Sequence, residues 1–131
     1  MIDKKTILAI DDDRAQLKIF EKFLSERYFL IPIKSAAEAL KILDSINIDI
    51  ILLDIEMPSI SGFEFMHEIR KKPKYMTKPI IIVSVHNEPE FLNYAKNSSA
   101  SAVLTKPVDA ETMIKTIEEA LVTKPKNPYG L

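Results

Sequence analysis

The chain has 131 residues, 47% apolar and 28% charged, with a formal net charge of −1. That balance suits one domain able to bury a real core, and near-neutrality argues against a surface built to hold a nucleic-acid backbone. With no cysteine and only two histidines, His67 and His86, it excludes disulfides, thiolate chemistry and a zinc cluster. No apolar run approaches the roughly 20 residues of a membrane span. The opening Met-Ile-Asp-Lys-Lys lacks a signal-peptide pattern. The expectation is a cytoplasmic protein with no membrane contact.

In chain order, the first apolar run, Ile7 to Ile10, reads as a strand, and Leu17, Phe20 and Leu24 then mark one face of a helix. Tyr28 to Ile33 reads as the second strand. Pro32 within it cannot donate to a ladder, which favours a sheet edge. Ser35-Ala36-Ala37-Glu38 has capping-box spacing and opens a second helix with Leu40 and Leu43 inward. Ile48 to Leu53 forms a third strand. Phe63, Met66 and Ile69 (or His67) mark the third helix. Ile80 to Val83 is the fourth strand, followed by a helix that Asn87-Glu88-Pro89-Glu90 starts, with proline tolerated in the first turn. Ala102 to Leu104 is the fifth strand, and Asp109 caps a helix with Met113, Ile117 and Leu121 inward.

Five β-α units with continuously apolar strands predict an α/β, doubly wound (βα)5 sandwich, its parallel sheet covered on both faces. Residues 1–122 form the expected domain. Residues 123–131, with two prolines and a glycine, read as a tail or the start of a linker.

In open α/β sheets, ligands bind beyond the carboxyl ends of strands, where strand order reverses. A second strand at the edge, as Pro32 favours, agrees with strand order 2-1-3-4-5, one of the two common doubly wound arrangements. The crevice then lies between the first and third strands, which end in Asp11-Asp12-Asp13 and Asp54. Clustered carboxylates repel unless a cation joins them, and Mg²⁺ commonly takes one or two carboxylates with water and phosphate. The fourth strand brings Ser84 to this edge and the fifth brings Lys106. A lone carboxylate, an acidic pair, a hydroxyl and a lysine form an inventory for phosphoryl transfer. Capping by Asp12 or Asp13 would explain one aspartate of the cluster, and a turn role would explain Asp54 alone.

These residues resemble the receiver domain of two-component response regulators, similar to the chemotaxis-type single-domain regulators, over about residues 5 to 122. The likeness rests on Ile10-Asp11-Asp12-Asp13, on Leu52 to Pro58 with Gly62 following, on Ser84 and on Lys106-Pro107. The strand order is in part implied by this resemblance. So are the roles: Asp54 as phosphoacceptor from a phosphohistidine, Asp11 and Asp12 as holders of Mg²⁺, and Asp54 and the Glu56 backbone carbonyl completing the protein ligands. It further implies that Lys106 pairs with phosphoryl oxygens, that Ser84 moves to hydrogen-bond them, and that the Lys106–Pro107 bond is cis. The implied partners are a histidine kinase or phosphotransfer protein and a downstream protein. Ser84 and Lys106 stand at the starts of the connections to the fourth helix, fifth strand and fifth helix, which makes these the expected output face, with Tyr94 on the fourth helix as its candidate contact. Direct nucleic-acid binding is not implied. The protein would be a signalling switch that catalyses only its own phosphoryl transfer and dephosphorylation.

Departures from the family pattern are specific. Ser84 stands where threonine is commoner, Val85 replaces a small alanine, and Glu56 and His86 occupy positions that tune acyl-phosphate lifetime. Val103 replaces an aromatic whose rotation reports the switch, and Ser99-Ala100-Ser101-Ala102 departs from the pattern of charged receiver dimers. A receiver-like module independent of phosphorylation is a rival reading, resting on Val85 and Val103. A flavin binder on this fold would need a glycine-rich phosphate loop, which Gly62 and Gly130 cannot form.

Overall fold

The computed structural model describes residues 4–56 and 60–123. Within them the chain alternates β1 (Thr6–Ile10), α1 (Arg14–Leu24), β2 (Phe29–Ile33), α2 (Ala36–Ser45), β3 (Ile50–Asp54), α3 (Gly62–Arg70), a short 3₁₀ turn (Pro73–Tyr75), β4 (Ile80–Ser84), α4 (Pro89–Lys96), β5 (Ala102–Thr105) and α5 (Ala110–Val122). All strand pairs are parallel, in the order β2-β1-β3-β4-β5. Pro32 does lie on an edge strand, opposite Ala9.

The uninterrupted apolar strands are explained by the pleat, which sends successive side chains to opposite faces. Leu8, Ile10, Ile51, Leu53, Ile80 and Ile82 pack with Ala39, Leu43, Phe65 and Ile69 from α2 and α3. Their neighbours Ile7, Ala9, Ile50, Leu52, Ile81 and Val83 pack with Leu17, Phe20, Leu24, Met113 and Ile117 from α1 and α5. The apolar residues of β1, β3 and β4 are therefore buried on both faces of the sheet, while Phe29 and Pro32 of the edge strand β2 stay exposed.

Some limits and facings differ from the expectation. Tyr28 and Ile48 are buried but precede their strands, while β3, β4 and β5 each run one residue further, into Asp54, Ser84 and Thr105. In α3 the deep aromatic is Phe65, Phe63 is only half-buried, and His67 is exposed. Two aromatics two positions apart cannot share one helix face, and the sheet takes the one in phase with Ile69. Leu40 and Leu121 face inward at the margin, half-buried.

Caps follow the local sequence. Asp13 Oδ1 accepts from Ala15 N at 2.9 Å, Ser35 Oγ from Glu38 N at 3.2 Å, and Asp109 Oδ1 from Thr112 N at 2.7 Å. Ser61 Oγ does the same for Glu64 N at 3.1 Å, an N-cap signalled by Ser61-Gly62-Phe63-Glu64 that the sequence reading passed over. Arg70, 5% exposed, was not anticipated in the interior. Its guanidinium donates to the carbonyls of Tyr75, Lys78 and Ser99 and to Ser99 Oγ, tying α3 to the segments leading into β4 and β5.

Candidate phosphoryl-transfer site

Parallel strands align their carboxyl ends, so residues at those ends meet whatever their separation in sequence. The register sets Ile10 beside Leu53 and Asp54 beside Val83, which brings Asp11 and Asp12 next to Asp54. One carboxylate oxygen from each of Asp11, Asp12 and Asp54 lies within 4.8 Å of the other two. Asp11 is 1% exposed and Asp54 8%, while Asp12 is exposed. Asp13 is taken up by capping α1, which divides the run of three aspartates into one cap and two site residues.

Lys106 arrives from the end of β5. Its Nζ donates to Asp11 Oδ2 at 2.9 Å and lies 3.7 Å from Asp54 Oδ1. The Lys106–Pro107 bond is cis, as the family resemblance implied. Asp11 Oδ1 also accepts from Asp13 N at 2.9 Å, so its low exposure is compensated by two donors. Asp54 has weaker support, from Glu56 N at 3.3 Å. Burial, and then the Asp11 charge, push the Asp54 carboxyl up to about 6 from its ordinary 3.8, with Lys106 and the Glu56 N–H pulling the other way.

These groups line an open cleft of about 830 Å³, with Glu56, Ile60, Ser61, Glu64 and the exposed Val85 at its rim. Val85 borders the opening without closing it. The loop after β3 is held by α3: Gly62 N donates to Ile55 O at 2.8 Å, and a Cβ on Gly62 would lie 2.5 Å from Ile55 Cα. Only glycine permits that approach, which fixes the backbone leaving Asp54. Met57 and Pro58 lie outside the described residues.

Ser84 is buried at the end of β4, where its Oγ accepts from His86 N at 3.1 Å and its carbonyl accepts from Lys106 N at 2.7 Å. His86 reaches across the cleft mouth. Its Nε2 contacts Glu56 Oε1 and its Nδ1 lies 3.4 Å from Glu88 Oε2, and these carboxylates raise the imidazole above its ordinary pKa. This bridge between the β3 and β4 loops was not foreseen, because residues 30 apart in sequence give no local signal of meeting.

An all-oxygen set of three carboxylates, partly neutralised by one lysine and open to solvent, suits a hard divalent cation and would be poor for a soft one. The same cleft has room for a phosphoryl group against Asp54. Residues 7–118 match the family described as the response regulator receiver domain. The chain belongs to that family. It is 31% identical over 116 residues to Transcriptional regulatory protein GlrR of Escherichia coli, covering 88% of this chain but 26% of that protein. It thus spans about a quarter of that longer relative. Protein PilH of Pseudomonas aeruginosa is 28% identical over 116 residues, covering 88% of this chain and 96% of its own length. Among solved structures, the Vibrio cholerae chemotaxis protein CheY4 superposes with a TM-score of 0.85 at 28% identity, over 91% of this chain and all of that one. The expected family, fold and strand order, and likeness to chemotaxis-type regulators, therefore hold, and so does the general function: a receiver domain in two-component signal transduction.

Proposed function

We propose that Asp54 is the phosphoacceptor of a switch that takes its phosphoryl group from a phosphohistidine of a histidine kinase or phosphotransfer protein. A carboxylate oxygen of Asp54 attacks phosphorus, the P–N bond breaks, and its electron pair leaves with the imidazole. The observation that carries this reading is the convergence of the half-shielded Asp54 with Lys106 at 3.7 Å and the Asp11–Asp12 pair in one open cleft. Mg²⁺, held by Asp11, Asp12, Asp54 and the Glu56 carbonyl, would neutralise charge on the transferred group. Lys106 would exchange part of its contact with Asp11 for phosphoryl oxygens. Ser84 would turn its hydroxyl from the His86 N–H toward the same oxygens, and so pull the β4–α4 loop.

Downstream output through α4, β5 and α5 belongs to the same proposal. Val103 is half-buried beside Leu92 and Ala95 of α4, so output there would rest on movement of α4 rather than on rotation of an aromatic. The switch would turn over only its own phosphoryl group. Residues 1–122 would be the functional unit, consistent with α5 ending at Val122, and residues 123–131 a linker or tail, of which 124–131 lie outside the described residues. A cytoplasmic setting belongs to the same proposal. Among the described residues no helix is long and apolar enough to cross a membrane.

The test is an amide NMR titration with Mg²⁺ and then beryllofluoride, a phosphoryl mimic, on the native chain and on Asp54→Asn. Shifts at Asp11, Asp12 and Asp54 that spread to Ser84, Lys106 and α4, and vanish in the variant, are expected. An unchanged native spectrum would refute the proposal and favour a module independent of phosphorylation.

A further inference from the structure

Tyr94 is expected on the α4-β5-α5 side, yet its ring turns toward α3. It meets Phe63 edge-on with centroids 4.7 Å apart while remaining 62% exposed. Between α3 and α4 lies a groove of about 1070 Å³, floored by Phe63, Met66 and Tyr94. A well-held but exposed tyrosine is a typical anchor for a binding partner, since it offers a large amphipathic surface at low entropy cost.

Charge selects the occupant. Three glutamates, Glu64, Glu68 and Glu90, line the groove and are exposed. The one arginine there, Arg70, is buried and donates to main-chain carbonyls. Lys71 pairs with Glu68 at 3.0 Å and offsets that charge, so Glu64 and Glu90 set the sign of the rim. An acidic rim around an apolar floor repels phosphate backbones and attracts lysine and arginine. The eight residues of α4 extend about 12 Å, room for two turns of helix or a short extended strand.

The groove is also joined to the phosphoryl-transfer cleft. Ile60 and Glu64 line both. From Glu56, contacts run to His86, from His86 to Phe91 at 5.5 Å, from Phe91 to Phe63 at 6.0 Å, and on to Tyr94. A pull on the β4–α4 loop would thus reach the groove floor.

We propose that the α3–α4 groove docks a basic peptide segment of a partner protein, with an apolar anchor seated on Phe63 and Tyr94, and that its affinity follows the state of the cleft. The docking stands without the phosphoacceptor reading; its coupling to the cleft rests on that reading.

The probe is a synthetic peptide of Lys and Arg around a central Leu-Trp pair, with a Glu-substituted counterpart, followed by Trp fluorescence and amide NMR on the whole chain. The basic peptide should give saturable shifts confined to α3 and α4, around Phe63, His67, Tyr94 and Asn97, and the acidic one none. Tyr94→Ala and Glu90→Lys should each weaken binding about tenfold or more while the circular dichroism spectrum is kept. Beryllofluoride loading should change the affinity at least about threefold, a coupling of about 0.7 kcal/mol or more. Shifts centred on β5 and α5, equal binding of the acidic peptide, or an unaffected Tyr94→Ala variant would each overturn the docking. So would shifts of the same residues with protein concentration alone, which would make a second copy the occupant. Loading is scored separately at Asp11 and Asp54. An unchanged cleft there refutes the phosphoacceptor reading and the coupling, while binding to the unloaded groove still decides the docking. A loaded cleft with unchanged affinity refutes the coupling alone.

Discussion

Replacing Asp54 by asparagine should stabilise the metal-free protein at neutral pH. The native carboxyl is raised to about 6 from 3.8, first by burial and then by the Asp11 charge. A rise of that size corresponds to about 3 kcal/mol of cost for holding the carboxylate ionised in the fold. The sign follows from linkage. Between about pH 4 and 6 the native state holds a proton that the unfolded state has released, so stability falls as pH rises through that window and the cost is complete above it. Asparagine keeps the shape and an acceptor for the Glu56 N–H; the pull of Lys106 at 3.7 Å is already contained in that net rise, and solvent screening in the open cleft trims the gain. The net expectation is about 1–3 kcal/mol of added stability near pH 8, shrinking to nothing below about pH 4. In EDTA-treated samples, urea unfolding followed by circular dichroism would show this as a midpoint raised by roughly 1 M. Equal or lower stability of the variant near neutrality would refute the reasoning, and so would a gain that persists in acid.

Mg²⁺ should raise the urea midpoint of the native chain through mass action and do so less for Asp54→Asn, which loses one charged ligand; an equal rise in both would remove Asp54 from the cation set. Gly62→Ala should cost about 1–3 kcal/mol, because the new methyl meets Ile55 Cα at 2.5 Å and backbone must move, outweighing alanine's better helix propensity of up to about 1 kcal/mol. A variant as stable as the parent would show that α3 yields freely. Arg70→Ala should destabilise by about 3 kcal/mol or more, since the carbonyls of Tyr75, Lys78 and Ser99 lose a shared charged donor; a loss under about 1 kcal/mol would mean water replaces it. Lys106→Met should leave Mg²⁺ shifts at Asp11 and Asp12 while abolishing the beryllofluoride response at Ser84, and an intact response at Ser84 would deny Lys106 its place on the phosphoryl oxygens.

Local physics wrote much of this protein into its sequence. Five apolar runs separated by helical stripes could only be covered on both faces, and Ser35, Asp109 and Pro89 start helices through groups within three residues of the cap. Asp11, Asp12, Asp54 and Lys106 were legible because parallel strands bring their carboxyl ends to one edge, so strand-end position alone nominates a site residue. What the sequence could not decide was set by packing between distant segments. It chose Phe65 over Phe63 for the interior, buried Arg70 among carbonyls, joined Glu56 to His86 across the cleft, and turned Tyr94 toward α3. A helical pattern gives the phase of a helix on its own axis. Which neighbour each face meets depends on the rotation and spacing of helices across the sheet, and those are fixed only when the whole core closes.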